Sequence, residues 1–92
     1  MKYVLLGSLS ADWAKKHPQR IDSAKAKLKQ LGITLEAVYY TQGQFDFVDV
    51  VEAPDPEALL SFSVWYTTQG YGRIQSMPAF DADTLARAAD KA

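Results

Sequence analysis

The stretch GQFDFVDV, Gly43 to Val50, decides the fold of this chain. Gln42-Gly43-Gln44, which overlaps its start, is typical of a short turn. Phe45 to Glu52 and, before the turn, Ile33 to Thr41 are rich in the aromatic and β-branched residues that strands favour. These two segments therefore predict a β-hairpin.

Two further strands are predicted outside the hairpin. Met1 to Leu9 is apolar on both faces, which is typical of a central strand covered on both sides. Tyr71 to Ala79 is a weaker strand, because Gly72 and Pro78 suit a strand end or a sheet edge.

Helices are predicted between these strands and at the end of the chain. The first begins with Pro18 at its first helical position, because the residue before a proline avoids the helical region, and it stops at Gly32. The second opens with Asp55-Pro56-Glu57 and ends before Gly70. The third, short and alanine-rich, covers Asp81 to Ala92 and is capped by Asp81 or Asp83.

The resulting order, β-α-β-β-α-β with a terminal helix, predicts an α+β ferredoxin-like fold in a single domain, residues 1–92. We expect a four-stranded antiparallel sheet with the two main helices on one face and a short C-terminal helix. The other sheet face is left open, and what covers it bears on function.

The hairpin allows two interpretations of that open face. If Val48 and Val50 meet the helices, Phe45 and Phe47 lie on the open face, where they would either stack on RNA bases or pack against a second subunit. Three carboxylates on this strand and a net charge of −1 disfavour RNA. A 92-residue domain buries only about 60 to 65% of its unfolded surface, which favours a sheet-to-sheet dimer. Its predicted interface is Tyr3, Leu5, Phe45 and Phe47, with Asp49 on that face in need of a partner or a place at the rim.

Composition excludes several kinds of site. The chain has no cysteine and one histidine, so it predicts no disulfide, no metal site and no cofactor. No apolar run is long enough for a membrane span or an export signal, so we expect a cytoplasmic protein with no membrane or nucleic-acid partner. The basic residues of the first helix are interpreted as a solvated face; they are Lys15, Lys16, Arg20, Lys25, Lys27 and Lys29.

The turn Gly43-Gln44-Phe45-Asp46 resembles the signature of the GYD-domain family: a glycine, any residue, an aromatic and an aspartate. The resemblance extends over "KYVLLGSLS", "RIDSAKAKLKQLG", "FVDVVEAPDPEAL" and "GYGRIQSMPAF". It implies a small bacterial or archaeal protein with a ferredoxin-like fold that pairs through its sheets, as dimeric α-β barrel proteins do. The activity of the family is not established, so the resemblance implies a fold and no reaction. Its aromatic is here Phe45 and not tyrosine, so a mechanism that needs that phenol is excluded.

Several polar residues are predicted at one end of the sheet, where relatives of this architecture keep a cavity between sheet and helices. Asp46 and His17 are the candidate catalytic residues. Asp46 is either a carboxylate that acts as a base or orients a bound ligand, or a turn residue that accepts backbone N–H bonds. Both roles stay open. The candidate ligand-binding residues are Asp46, Arg73, Tyr40 and Trp13.

The sequence thus predicts a homo-oligomeric module that binds small molecules or assembles with itself. A small hydrophobic or carboxylate ligand fits the candidate residues. The alternative is a cofactor-free enzyme, of the oxygenase or isomerase type, acting on a hydrophobic substrate in the helix-sheet cavity. RNA binding comes third.

Overall fold

The computed structural model describes all 92 residues. The chain forms four strands and three helices in the predicted order. They are β1 (Lys2–Leu9), α1 (Trp13–Gln30), β2 (Thr34–Tyr40), β3 (Phe47–Glu52), α2 (Pro56–Thr68), β4 (Gly72–Pro78) and α3 (Ala82–Lys91).

All four strands pair antiparallel in one sheet of order β2-β3-β1-β4. Helices α1 and α2 cover one face, where Leu28, Leu59, Phe62 and Tyr66 join a single apolar core with the inner side chains of β1 and β3. The predicted ferredoxin-like fold is confirmed. None of the helices combines the length and the apolar composition that crossing a membrane requires.

Helix α1 begins earlier than the sequence predicts. It starts at Trp13, and Pro18 lies inside it, so the expected start at Pro18 is wrong. Two contacts of Lys16 lie in the turn before the proline: its Nζ donates to the Gly70 carbonyl at 3.2 Å and lies 3.3 Å from Asp12, four residues earlier in the chain. A proline disfavours the helical conformation of the residue before it without excluding it.

The other two helices start where the sequence predicts. The Asp55 carboxylate accepts the Ala58 N–H at 2.8 Å at the start of α2. At α3 the cap is Asp81 and not Asp83, since Asp81 accepts the Thr84 N–H at 2.8 Å. Each such cap contributes about 1 kcal/mol, enough to fix where a short helix begins.

The two faces of the sheet are the reverse of the predicted ones. Tyr3, Leu5 and Phe47 are each at most 5% exposed and belong to the core beneath the chain's own helices. The predicted interface of these residues is therefore wrong, because α1 and α2 already cover them. The open face of the two central strands instead carries Val4, Leu6, Val48 and Val50.

A contact between β1 and β3 explains this orientation. Gly7 pairs with Phe47, and a Cβ on Gly7 would overlap the Phe47 ring. The ring therefore occupies the helix-facing side above a residue with no side chain. Because alternate strand residues share a face, Asp49 also points toward the helices. Phe45 precedes β3 and is half-buried, so neither phenylalanine forms an RNA-stacking strand face.

We expect Gly7→Ala to lower the free energy of unfolding by about 1 to 3 kcal/mol, the usual cost of overpacking. Gly43→Ala is the matched control, because nothing lies within 4 Å of the position its Cβ would take. It should change the free energy by less than about 0.5 kcal/mol. Urea denaturation measures both, and equally mild effects would show that the Phe47 ring does not lie against Gly7.

Candidate functional site

A cleft of about 300 Å³ lies between the two main helices and the sheet. This volume is at the lower end of the range for small-molecule sites. Apolar side chains form most of its wall: Ile21, Ala24, Leu28, Leu35, Val38, Phe47, Phe62 and Ile74. The polar and charged residues of the wall are Arg20, Lys25, Tyr40, Asp49 and Tyr66.

Arg20 is the buried cation of the cleft, 5% exposed. Its Nη1 donates to Tyr66 Oη at 3.2 Å, and its Nη2 donates to His17 Nδ1 at 3.1 Å. Because a guanidinium only donates, His17 accepts through Nδ1 in this contact. The guanidinium also lies 5.9 Å from the centroid of the Tyr40 ring. Its third nitrogen, Nε, is buried and has no hydrogen-bond partner.

Asp49 is the buried carboxylate of the cleft, 8% exposed on the central strand β3. No donor forms a hydrogen bond to it, and no cation lies within 4.0 Å of it. Burial raises the pKa of Asp49 to about 6, and the charge of Arg20 opposes this shift only in part. A buried carboxylate with neither donor nor cation is costly in free energy, which singles out Asp49 as a candidate functional residue.

Tyr66 connects Arg20 to the aromatic core. Its ring centroid lies 6.0 Å from that of Phe47, 5.9 Å from that of Phe62 and 5.5 Å from that of Tyr71. Burial raises the pKa of the Tyr66 phenol, so the group stays neutral and accepts the Arg20 hydrogen bond. The packed ring therefore fixes one arm of the guanidinium at the cleft.

Four of the predicted site residues come together beside this cleft. Trp13, His17, Tyr40 and Asp46 line a second depression, and Tyr40 lines both. The His17 ring centroid lies 5.8 Å from that of Trp13 and 6.4 Å from that of Tyr40. The chain has no cluster of three or more His, Asp or Glu side chains that could hold a metal ion.

Asp46 fastens the hairpin turn to β1. Its Oδ2 accepts the Leu9 N–H at 2.7 Å, and its own N–H donates to the Gly7 carbonyl at 2.7 Å. Its carbonyl accepts the Thr41 N–H at 2.8 Å. The carboxylate thus accepts a backbone N–H, as in the turn-residue interpretation, although the donor belongs to β1 and not to the turn around Gly43.

Arg73 lies apart from the other predicted residues. It is exposed on the edge strand β4, where it pairs with Ser8. The next pair along these strands is Gly7 with Ile74, and Ile74 lines the cleft. Because neighbouring strand residues point to opposite faces, Arg73 lies on the open face of the sheet.

The sequence did not predict Arg20, Asp49 or Tyr66 as site residues. The assignment of Arg20 to a solvated basic face is wrong, since the residue is buried. A signal was present: Arg20 lies four residues before Ala24 and eight before Leu28, on the apolar face of α1. The signal for Asp49 depends on which face of β3 points inward, which the sequence did not reveal.

A family model described as "GYD domain" matches residues 3–89 of this chain. A Thermus thermophilus protein named glutamine synthetase and cystathionine beta-lyase binding protein is 30% identical over 90 residues, covering 92% of this chain and 95% of that protein. The match therefore extends over nearly the whole of both chains.

Two solved structures share the fold. One is a 5-chloro-2-hydroxyhydroquinone dehydrochlorinase from Burkholderia phenoliruptrix in complex with 2,5-dihydroxybenzoquinone, with a TM-score of 0.65 and 12% identity, covering 91% of this chain and 98% of that one. The other is a 30S ribosomal protein from Thermotoga maritima, with a TM-score of 0.64 and 13% identity, covering 97% of this chain and 96% of that one. At these identities the likeness concerns the fold alone.

We expect Asp49→Asn to stabilise the protein at pH 8. The folded-state pKa of about 6 exceeds the unfolded value of 3.8, so the folded state binds more protons between these values and loses stability as pH rises through them. The penalty is complete above about pH 6 and amounts to about 2 to 3 kcal/mol. Removing the charge should therefore raise the free energy of unfolding by up to this amount at pH 8.

Urea denaturation at pH 8 and pH 4 measures this effect. The stabilisation by Asp49→Asn should shrink toward pH 4, where the wild-type carboxyl is protonated as well. Asp22→Asn, on the exposed side of α1, is the control and should not stabilise the protein at pH 8, because its side chain is not buried. A difference between wild type and Asp49→Asn that is the same at both pH values would contradict the burial of Asp49.

Proposed function

The chain belongs to the GYD-domain family, and we propose that it is a homodimeric small-molecule-binding domain whose ligand lies in the cleft between the two main helices and the sheet. The observation that carries the proposal is the apolar cleft lined by the Asp49 carboxylate, which receives no hydrogen bond from the protein and has no cation within 4.0 Å. Folding alone disfavours a carboxylate in this position. Such departures from good packing are expected where a site serves binding.

The dimer in this proposal forms through the open face of the sheet. Val4, Leu6, Val48 and Val50 lie side by side on the two central strands, and no helix of the chain covers them. Burying apolar surface contributes about 25 cal/mol per Å², which a domain of this size needs. The interface is thus the opposite face from the one first predicted.

A second candidate function is binding to a partner protein. The Thermus thermophilus relative is named as a binding protein for two enzymes. In this chain α3 has no buried residue, and Phe80 and Leu85 are 68% and 69% exposed. These exposed apolar side chains are a surface of the kind that partners bind. This function would use α3 and leave the cleft free.

The enzyme alternative now depends on a different carboxylate. Asp46 is engaged by the Leu9 N–H, whereas Asp49 is unpaired and lines the apolar cleft. A buried carboxyl with a raised pKa is the type of group that acts as a general base. A cofactor-free enzyme of this fold would therefore use Asp49 in place of Asp46 and His17.

Binding in the cleft is tested by replacing either of two alanines of α1 with phenylalanine. Ala24 lines the cleft and Ala26 is exposed on the same helix. We expect small aromatic fragments to raise the melting temperature of the wild type and of Ala26→Phe, but not of Ala24→Phe, whose ring fills the cleft. Thermal shift with a fragment set measures this. Fragments that still stabilise Ala24→Phe would place binding elsewhere and contradict the proposal.

The dimer is tested by placing a charge on the open sheet face. Val48→Lys should convert the dimer to a folded monomer, because a buried ammonium without a partner is costly. Val64→Lys is the control, since Val64 is 55% exposed on α2. Sedimentation at micromolar concentration measures both, with circular dichroism to confirm folding. A wild-type protein that sediments as a monomer would refute the dimer.

A further inference from the structure

The C-terminal helix α3 is well formed but buries none of its residues. Asp81 caps it, and all of its side chains remain at the surface. A helix of this length is only marginally stable in water without a packed face. The radius of gyration of the chain, 14.4 Å, exceeds the roughly 12 Å expected for a compact domain of 92 residues, as it does when a helix extends from the body. Within one chain, α3 therefore lacks a surface to pack on.

The residues of α3 are divided between an apolar side and a polar side. With about 3.6 residues per turn, the apolar residues share one side of the helix, and all the charged residues lie on the other. The apolar side consists of Ala82, Leu85, Ala86, Ala88 and Ala89. This division is typical of a helix that packs on an apolar surface. Because alanine forms most of this side, another helix can approach it closely, and Leu85 is its one large side chain.

The exposed face of α2 is the matching surface. Leu60 and Val64 lie one turn apart on it and are 64% and 55% exposed. No charged residue lies between Glu57 and Arg73, so this face is uncharged beyond the first turn of the helix. The exposed face of α1, in contrast, carries Lys15, Asp22, Lys25 and Lys29. A helix that is apolar on all sides is typical of one that is covered on all sides, and the chain itself leaves this face of α2 exposed.

We infer that α3 of one copy of this chain docks on the exposed face of α2 of a second copy. The sizes of the side chains favour this pairing. Leu60 and Val64 can lie along the alanines of α3, and Leu85 can lie beside the small side chains of Ser61 and Thr68 on α2. Two α2 faces would set their large side chains against each other, and two α3 faces would bury little besides alanine. Only α3 on α2 combines large side chains with small ones.

The contact joins different copies, because Leu60 and Leu85 are both mostly exposed within one chain. It is also small. Helix α3 is about 15 Å long, and one face of it buries less than the roughly 1,200 Å² of a stable interface. The contact should therefore form at submillimolar concentration, where it links sheet-paired dimers, and leave the dimer as the species at micromolar concentration. A partner protein that binds α3 would compete with it.

Because the chain has no cysteine, introduced cysteines report this contact directly. Leu85→Cys chains are mixed with ¹⁵N-labelled Val64→Cys chains at submillimolar concentration and treated with a short bis-maleimide cross-linker, which tolerates distances that a disulfide does not. Mass spectrometry measures the cross-link between the two kinds of chain. We expect it to exceed severalfold the cross-link between Leu85→Cys and Ala26→Cys chains. Ala26 is exposed on α1 between Lys25 and Lys27, whose charges make a thiol more reactive, so this control favours the opposite result.

A charge on α2 assigns the cross-link to its exposed face. Leu60→Glu in the Val64→Cys chain places a carboxylate in the contact, yet it keeps a good helix former at an exposed position, so the chain should fold. Its cross-link to Leu85→Cys should fall to the control level. Ala26→Glu in the same Val64→Cys chain is the matched variant and should leave the cross-link unchanged. Circular dichroism checks that both chains are folded.

Each of three results would overturn the inference. Equal cross-linking of Leu85→Cys to Val64→Cys and to Ala26→Cys would show chance encounters only. An excess of cross-links between two Leu85→Cys chains, or between two Val64→Cys chains, would show that like faces pair. A cross-link that persists with Leu60→Glu would place the contact away from the exposed face of α2. None of these results depends on the cleft or on the sheet-to-sheet dimer, so the proposed function is tested separately.

Discussion

The packing of the Phe47 ring against Gly7 determines which face of the sheet becomes the core. Gly7 has no side chain, so the ring fits on the helix-facing side of the two central strands. Residues at every second position then share that face, which brings Asp49 inward with Phe47. The helices must therefore cover a carboxylate as well as an apolar surface. The cleft and its charges depend on this one contact.

The charged residues of the cleft are stabilised unequally. Arg20 has two hydrogen bonds and lies beside the Tyr40 ring, whereas Asp49 has only the distant charge of the guanidinium. The aromatic cluster around Tyr66 offsets this cost, because each fully buried large apolar side chain contributes about 1.5 to 3 kcal/mol. The fold thus carries an unfavourable group at the one place where a ligand would relieve it, and binding would relieve it by supplying the missing donor.

The sequence predicts the elements of this fold better than its inner face. The hairpin and the cap at Asp55 follow from local turn and capping chemistry, the strand order follows from the order of the elements, and the structure has all of them. The sequence left the cap of α3 open between Asp81 and Asp83, and the structure has Asp81. The inner face was predicted wrongly because β3 carries apolar residues on both of its faces, so its sequence pattern allows either face to point toward the helices. The start of α1 was predicted wrongly because a proline disfavours a preceding helical turn without excluding it, and Lys16 contacts Asp12 and Gly70 in that turn. Arg20 and Asp49 depend on the inner face, so the sequence did not bring them together.

Membership of the GYD-domain family gives this chain a fold and a set of relatives, and the buried charges give it a candidate site. The most direct test is a ¹³C NMR titration of the Asp49 side-chain carboxyl in the free protein. A midpoint near pH 6 is the predicted result, because it requires the carboxylate to be buried beneath the helices without a donor. A midpoint near the ordinary value of 3.8 would show that Asp49 is either solvated or paired with Arg20, and both results contradict the unpaired, buried carboxylate on which the site is built.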